Sequence, residues 1–177
     1  MKKEKPIIES QEEIYEGFFN LRVEYLKREE KAMTYTVLDM KADGVTILAK
    51  KKDQYLILKE YRHPLREYIY GPPGGRIEKG EDLALSAKRE FFEETGYEIH
   101  QIQYMGAHYP MPSVCDHKIH LFYAPEIGEK KKPHRDPFEM MEVHFFSEQE
   151  IFEKVKNKEK VDGNLMVLFF YKNFLSK

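Results

Sequence analysis

Three glutamates placed close together near the end of a predicted helix carry the strongest chemical signal in this chain. They are Glu90, Glu93 and Glu94 in Lys88-Arg89-Glu90-Phe91-Phe92-Glu93-Glu94-Thr95-Gly96. On a helix, residues three and four apart are neighbours, so these carboxylates share a face that borders an apolar stripe of Ala84, Ala87 and Phe91, with Leu83 beside it. Like charges at those spacings cost roughly 0.2–0.5 kcal/mol per pair. They also fall in the last turns, where the helix dipole favours cations. A sequence that accepts both penalties needs compensation, and divalent cations that seek oxygen, magnesium first among them, supply it. Glu81 near the helix start adds a fourth carboxylate. Beside it lies Gly71-Pro72-Pro73-Gly74-Gly75, whose backbone can approach a ligand closely. The competing reading is a solvated acidic face next to Lys88 and Arg89, and for a bare Glu-x-x-Glu-Glu that reading is the better one.

The elements that must position these groups follow from periodicity and punctuation. Short runs rich in Val, Ile, Thr, Tyr and Phe between Phe18 and Arg62 read as strands. Phe18 to Tyr25 and Tyr35 to Met40 are expected to pair across a polar turn between Lys27 and Ala32. Val45 to Ala49 and Tyr55 to Leu58 are expected to form a hairpin across Lys50-Lys51-Lys52-Asp53-Gln54. The Gly71 to Gly75 stretch cannot continue a strand without special backbone angles, so a defined loop is expected there, with the helix after it and Gly96 as its stop. Strands are expected at Ile99 to His108, Lys118 to Ala124 and Met141 to Phe146. Ser147 with Glu150 is a capping box opening a helix from about Glu148 to Lys156, and an apolar helix is expected from Gly163 to Phe174.

Composition narrows the class. A chain of 177 residues with 41% hydrophobic and 14% aromatic residues has the material for one core, and no repeat or linker divides it, so one domain over 1–177 is expected. The 31 acidic and 29 basic residues leave a net charge of −2, which points to neither nucleic acid nor an anionic membrane as partner. Cys115 is the sole cysteine, so neither an internal disulfide nor a multi-cysteine zinc site can form within the chain. The N-terminus lacks the apolar stretch of a signal peptide, and no run approaches the roughly 18–20 apolar residues of a membrane span. A cytoplasmic location is expected.

Gly75, Glu81, Arg89, Glu90, Phe91, Glu93, Glu94 and Gly96 resemble the Nudix box, Gly-x5-Glu-x7-Arg-Glu-U-x-Glu-Glu-x-Gly-U, in which U is usually a bulky aliphatic residue. Every glycine and charged position is kept; Phe91 and Tyr97 fill the U positions with aromatic rings. The likeness runs from about Lys59 to Val143 and is most like ADP-ribose pyrophosphatases and related nucleoside diphosphate sugar hydrolases. Arg62 in Glu60-Tyr61-Arg62-His63-Pro64 matches an arginine before the box in that subgroup, and Pro112, sixteen residues beyond Gly96, matches a proline after it. Two departures stand out: Gly71-Pro72-Pro73 where relatives usually show Glu-Leu-Pro, and His117 where many carry an acidic residue.

The resemblance implies an α/β fold: an α/β/α sandwich around a mixed sheet, preceded by N-terminal antiparallel strands at about 1–42 that serve as a possible dimerisation element. It implies Mg2+, or Mn2+, held by Glu90 and Glu94 with Glu93 and the Gly74 carbonyl, and an ion pair of Glu81 with Arg89 that braces loop and helix. Arg62, Pro112 and Arg76 become candidates for substrate contact. Glu139 is the candidate catalytic base, ahead of Glu142 and Glu93. Gly75 and Gly96 are structural in the motif. The implied reaction splits a nucleoside diphosphate sugar, ADP-ribose to AMP and ribose 5-phosphate foremost. Alternatives are GDP-sugars, dinucleoside polyphosphates, capped RNA, or a sensor that binds nucleotide sugars without cleavage. A homodimer is implied, with Phe18, Phe19, Arg22 and Tyr25 as candidates for base recognition across its interface.

Overall fold

Val45-Thr46-Ile47-Leu48-Ala49 is buried along its whole length because side chains alternate across a strand and both faces of this one are covered. Ile47 packs into a cluster with Ala87 and Phe91 of the glutamate-bearing helix, whereas its neighbour Leu48 packs with Ile151, Leu165, Leu168 and Phe169 of the two later helices. Leu56 and Ile57, and Phe122 and Leu121, divide in the same way. The result is a layered α/β/α arrangement with a core on each side of the sheet. The computed structural model describes residues 5–132 and 140–175.

Contacts divide the chain into two units, 1–43 with 109–118, and 44–108 with 119–177. In the first unit β1 (Ile7–Glu16), β2 (Asn20–Arg28) and β3 (Lys31–Asp39) form an antiparallel sheet in chain order. The β2–β3 hairpin turns at Glu29, inside the expected polar stretch, with Glu29 left-handed at φ 56°. β1 was not foreseen: all ten of its residues are exposed, so it has no buried face to print a pattern in the sequence. The segment 109–118 is tied to β3 by Leu38 N–H to the Val114 carbonyl, 2.8 Å, and by the Tyr35 hydroxyl to the Ser113 carbonyl.

In the second unit β4 (Gly44–Lys51), β5 (Gln54–Arg62), β9 (Ile119–Ala124), β8 (Gln103–His108) and β10 (Met141–Phe146) run in the order β10-β5-β4-β9-β8. β4 is parallel to β9 and the other pairings are antiparallel, which makes the sheet mixed. Two short strands join the same sheet, β6 (Glu67–Gly71) beside β5 and β7 (Gly74–Arg76) beside β4. The helices are α1 (Leu83–Thr95), α2 (Glu148–Lys156), whose Ser147–Glu150 capping box is formed, and α3 (Gly163–Leu175). Among the described residues no helix is long and apolar enough to cross a membrane.

Candidate functional site

β4 is shared between two partners, and that division places the glycine loop. Its end, Ala49 to Lys51, pairs with β5, while its beginning, Gly44 to Thr46, pairs with Arg76 to Gly74. Ile47 N–H donates to the Pro73 carbonyl at 3.0 Å and the Thr46 hydroxyl reaches the same oxygen at 3.2 Å. The expected loop thus contains a short strand, because Gly74 can take up backbone pairing where a larger residue could not. A Cβ on Gly74 would run into the Val45 carbonyl oxygen.

A turn follows in which the Glu81 N–H donates to the Glu78 carbonyl at 3.0 Å and the Glu78 N–H donates to the Glu81 carboxylate at 3.1 Å. Asp82 caps α1, accepting from the N–H groups of Ala84 and Leu85. The helix buries Ala87, Phe91, Glu94 and Thr95 and ends on Gly96 in the left-handed conformation, φ 75°, as its position after the motif requires. Its last turn has no basic residue, so the dipole penalty on Glu93 and Glu94 is not relieved from within that turn.

The relief comes from two other sources. Glu94, 9% exposed, accepts the Gly74 N–H at 2.8 Å through Oε2. Arg89 donates through Nε and Nη2 to the two oxygens of Glu81, each at 2.9 Å, in a two-pronged pair. Its Nη1 donates to Glu90 Oε1 at 2.9 Å and Glu93 Oε2 at 3.1 Å. Nη2 also reaches the Arg76 carbonyl, 3.1 Å, and Ser86 Oγ, 3.3 Å. The Arg89 hydrogen bond, above all other causes, holds the Glu81 carboxyl down at about 2, and the Glu81 carboxylate in turn raises the Arg89 pKa above its usual value. The Glu90 carboxylate lies directly over the Cα of Gly75, in the space a Cβ would fill.

Gly74, Gly75, Glu81, Arg89, Glu90, Glu93, Glu94 and Gly96 are therefore gathered on α1 and the strand and turn before it. Arg76 belongs to β7 and offers its carbonyl to Arg89. Arg62 ends β5, half exposed, with Nη1 2.6 Å from Glu60 Oε1. Glu142 alternates on β10 with Met141 and Val143, which pack on the α1 side, so it lies on the opposite face of the sheet, beside His144 at 3.2 Å. Pro112 is in the first unit, lining a hollow with Tyr35, Val37 and Val114. Glu139 lies outside the described residues. Asp82 and Ser86 were missed from the sequence. An Asp before an apolar periodic run is a start signal that could have found the first; nothing in the spacing marks the second.

Whether these residues suit a divalent ion is decided by donor chemistry. Carboxylate and backbone oxygens are the donors that magnesium prefers, and the Gly75 hollow seats one such carboxylate against the backbone. Among the described residues, no three His, Cys, Asp or Glu side chains are drawn together into a finished cage. The donor set fits the ion.

Residues 40–169 match the family model described as the NUDIX domain. A methanol dehydrogenase activator of Bacillus methanolicus is 29% identical over 130 residues, covering 72% of this chain and 70% of that protein. An ADP-ribose pyrophosphatase of Bacillus subtilis is 37% identical over 105 residues, 56% of this chain and 57% of that relative's length. A crystal structure of an ADP compounds hydrolase superposes with a TM-score of 0.88 at 17% identity, covering 99% of this chain and 96% of the other, and so shares the fold.

Proposed function

We propose, from the premise that this chain belongs to the Nudix hydrolase family, that it hydrolyses the diphosphate bond of a nucleoside diphosphate sugar, ADP-ribose to AMP and ribose 5-phosphate. The observation that carries this reading is the docking of the α1 carboxylates on the glycine strand: Glu94 on the Gly74 N–H and Glu90 over Gly75. The choice of substrate leans on the similarity to the Bacillus subtilis ADP-ribose pyrophosphatase.

In this reading Glu90 and Glu94 hold Mg2+, or Mn2+, with Glu93 and the Gly74 carbonyl as further donors. The bound ion supplies charge neutralisation on the diphosphate and a water of lowered pKa. Arg62 grips the diphosphate through guanidinium donors beyond the one committed to Glu60. The Glu139 carboxylate takes the proton of the attacking water, since Glu142 stands on the far face of the sheet. Glu81 and Arg89 fix the turn so that loop and helix keep their separation. Pro112 and Arg76 contribute to substrate contact.

The chain works as a homodimer in the cytoplasm. Support comes from its N-terminal sheet, where Ile7, Ile8, Ile14, Phe18 and Met33 are more than half exposed, apolar surface that a second copy would cover. We assign Phe18, Phe19, Arg22 and Tyr25 to recognition of the base across that interface.

The test is a panel of ADP-ribose, GDP-mannose, UDP-glucose, diadenosine polyphosphates and capped RNA, incubated with the protein and Mg2+, with products separated and quantified. ADP-ribose should be turned over with the highest kcat/KM. Faster turnover of another compound would replace the substrate, and binding without cleavage across the panel would replace the enzyme by a sensor.

A further inference from the structure

We propose that Thr46, an uncharged residue of β4 outside the motif, is a positioning residue for the reaction: its hydroxyl sets the Pro73–Gly74 peptide plane and, through it, the placement of Gly74. The inference rests on the reading that the site binds a divalent ion, and adds a residue that acts on it from the sheet.

β4 changes partner at this point: Gly44 to Thr46 face Arg76 to Gly74, and Ala49 to Lys51 face β5. Pro73 stands at the seam, next in register opposite Ile47. A proline has no N–H, so this pair makes only one of the two ladder bonds that a hydrogen-bonded antiparallel pair exchanges. That one runs from the Ile47 N–H to the Pro73 carbonyl, 3.0 Å. The Thr46 hydroxyl donates to the same oxygen at 3.2 Å, a second bond where the ladder has lost one. Thr46 is only 4% exposed, so its hydroxyl depends on this acceptor. Side chains alternate along β4, and Thr46 therefore approaches from the face that carries Leu48, opposite α1.

The peptide is trans, so the Pro73 carbonyl and the Gly74 N–H point in opposite directions within one rigid plane. β4 holds the first end. The second end, the Gly74 N–H, donates to Glu94 Oε2 at 2.8 Å. Gly74 lies opposite Thr46 between the bonded pairs, where N–H and carbonyl both turn away from the partner strand. A rotation of the plane would displace the donor that Glu94 accepts and carry Gly74, with its carbonyl, along with it. Glycine has no side chain to resist that rotation, so the bonds on the Pro73 oxygen supply the resistance.

The experiment compares the full chain as wild type, Thr46→Val, Thr46→Ala and Thr46→Ser. Mg2+ affinity is measured by calorimetric titration without substrate, and kcat and KM with ADP-ribose at saturating Mg2+. Valine keeps the shape and removes the hydroxyl, whereas serine keeps the hydroxyl and removes the methyl. We expect Mg2+ affinity and kcat to fall about three- to tenfold in Thr46→Val, with KM changed less than about twofold, and Thr46→Ser to recover most of both losses. A merely structural hydroxyl would lower thermal stability and leave Mg2+ affinity unmoved in the folded variant. Wild-type Mg2+ affinity and kcat in folded Thr46→Val, or in Thr46→Ala should the valine variant fail to fold, overturn the proposal. Equal losses in Thr46→Val and Thr46→Ser, or failure of both Thr46→Val and Thr46→Ala to fold, overturn it too. In each of these cases a wild type that binds Mg2+ and cleaves ADP-ribose leaves the proposed function standing. A wild type that binds no Mg2+ removes the metal-dependent function and the role of Thr46 together.

Discussion

The backbone N–H of Gly74 donates to Oε2 of Glu94 at 2.8 Å, joining two residues twenty apart in the chain. The bond ties the strand before the helix to the last turn of the helix. It also answers a problem set by the sequence, since a 9% exposed carboxylate at a helix C-terminus is tolerable only with a donor of its own.

Replacement of Glu94 or Glu90 by glutamine separates charge from shape. The amide oxygen can still accept the Gly74 N–H in Glu94→Gln, so the fold should survive, while on the proposed metal site the ion would lose a charged ligand. We expect turnover to fall by about a hundredfold or more with circular dichroism unchanged. Wild-type turnover in either variant would remove that residue from the metal site.

Adjacent glycines should respond differently to alanine. At Gly75 the atoms nearest the added methyl are the end of the flexible Glu90 side chain, so stability should change by less than about 1 kcal/mol while the displaced carboxylate costs about a hundredfold in kcat. At Gly74 it meets the Val45 backbone, and the loss should appear in thermal stability, about 1–3 kcal/mol. Equal effects of the two substitutions on stability would contradict the placement of Glu90.

Acid should loosen the Glu81–Arg89 brace only at low pH. The folded-state pKa of Glu81 is lowered from 4.5 to about 2, so its contribution, at most about 3 kcal/mol and less for its partial exposure, is complete above pH 4.5 and lost as pH falls toward 2. Unfolding measured against pH should show wild type more stable than Glu81→Gln near neutrality, with the two curves converging below pH 4. A constant gap across that window would place the effect elsewhere.

The N-terminal sheet offers a fourth prediction. On the proposed homodimer, the wild type should sediment as dimer and Ile14→Asp or Phe18→Asp as monomer, because a charge on surface buried between copies would be costly. A wild type that sediments as monomer at micromolar concentration would remove the second copy from the account.

Much of this architecture was legible because it follows local rules. The β4–β5 hairpin, the β2–β3 hairpin, the Ser147 box and the Gly96 stop each announce themselves in a few residues. The carboxylate face was legible because it breaks such rules. What stayed hidden depends on distant pairing: β7 exists only because β4 leaves its first half unpaired by β5, and β1 has no buried side to shape its sequence. The motif likewise brings Arg89 to Glu81, but its bonds to Glu90 and Glu93 depend on rotamers that spacing does not specify. Glu142 was near enough in sequence to be a candidate base; strand alternation turns it to the other face.

The measurement that bears most directly on the central claim is the initial rate of AMP formation from ADP-ribose, followed with Mg2+ present, after chelation, and after Mg2+ is restored. Stoichiometric AMP and ribose 5-phosphate are expected, with a rate that vanishes with chelator and returns with the ion, and no return in Glu94→Gln. AMP formation that persists undiminished in chelator, or that Glu94→Gln supports at the wild-type rate, would contradict it.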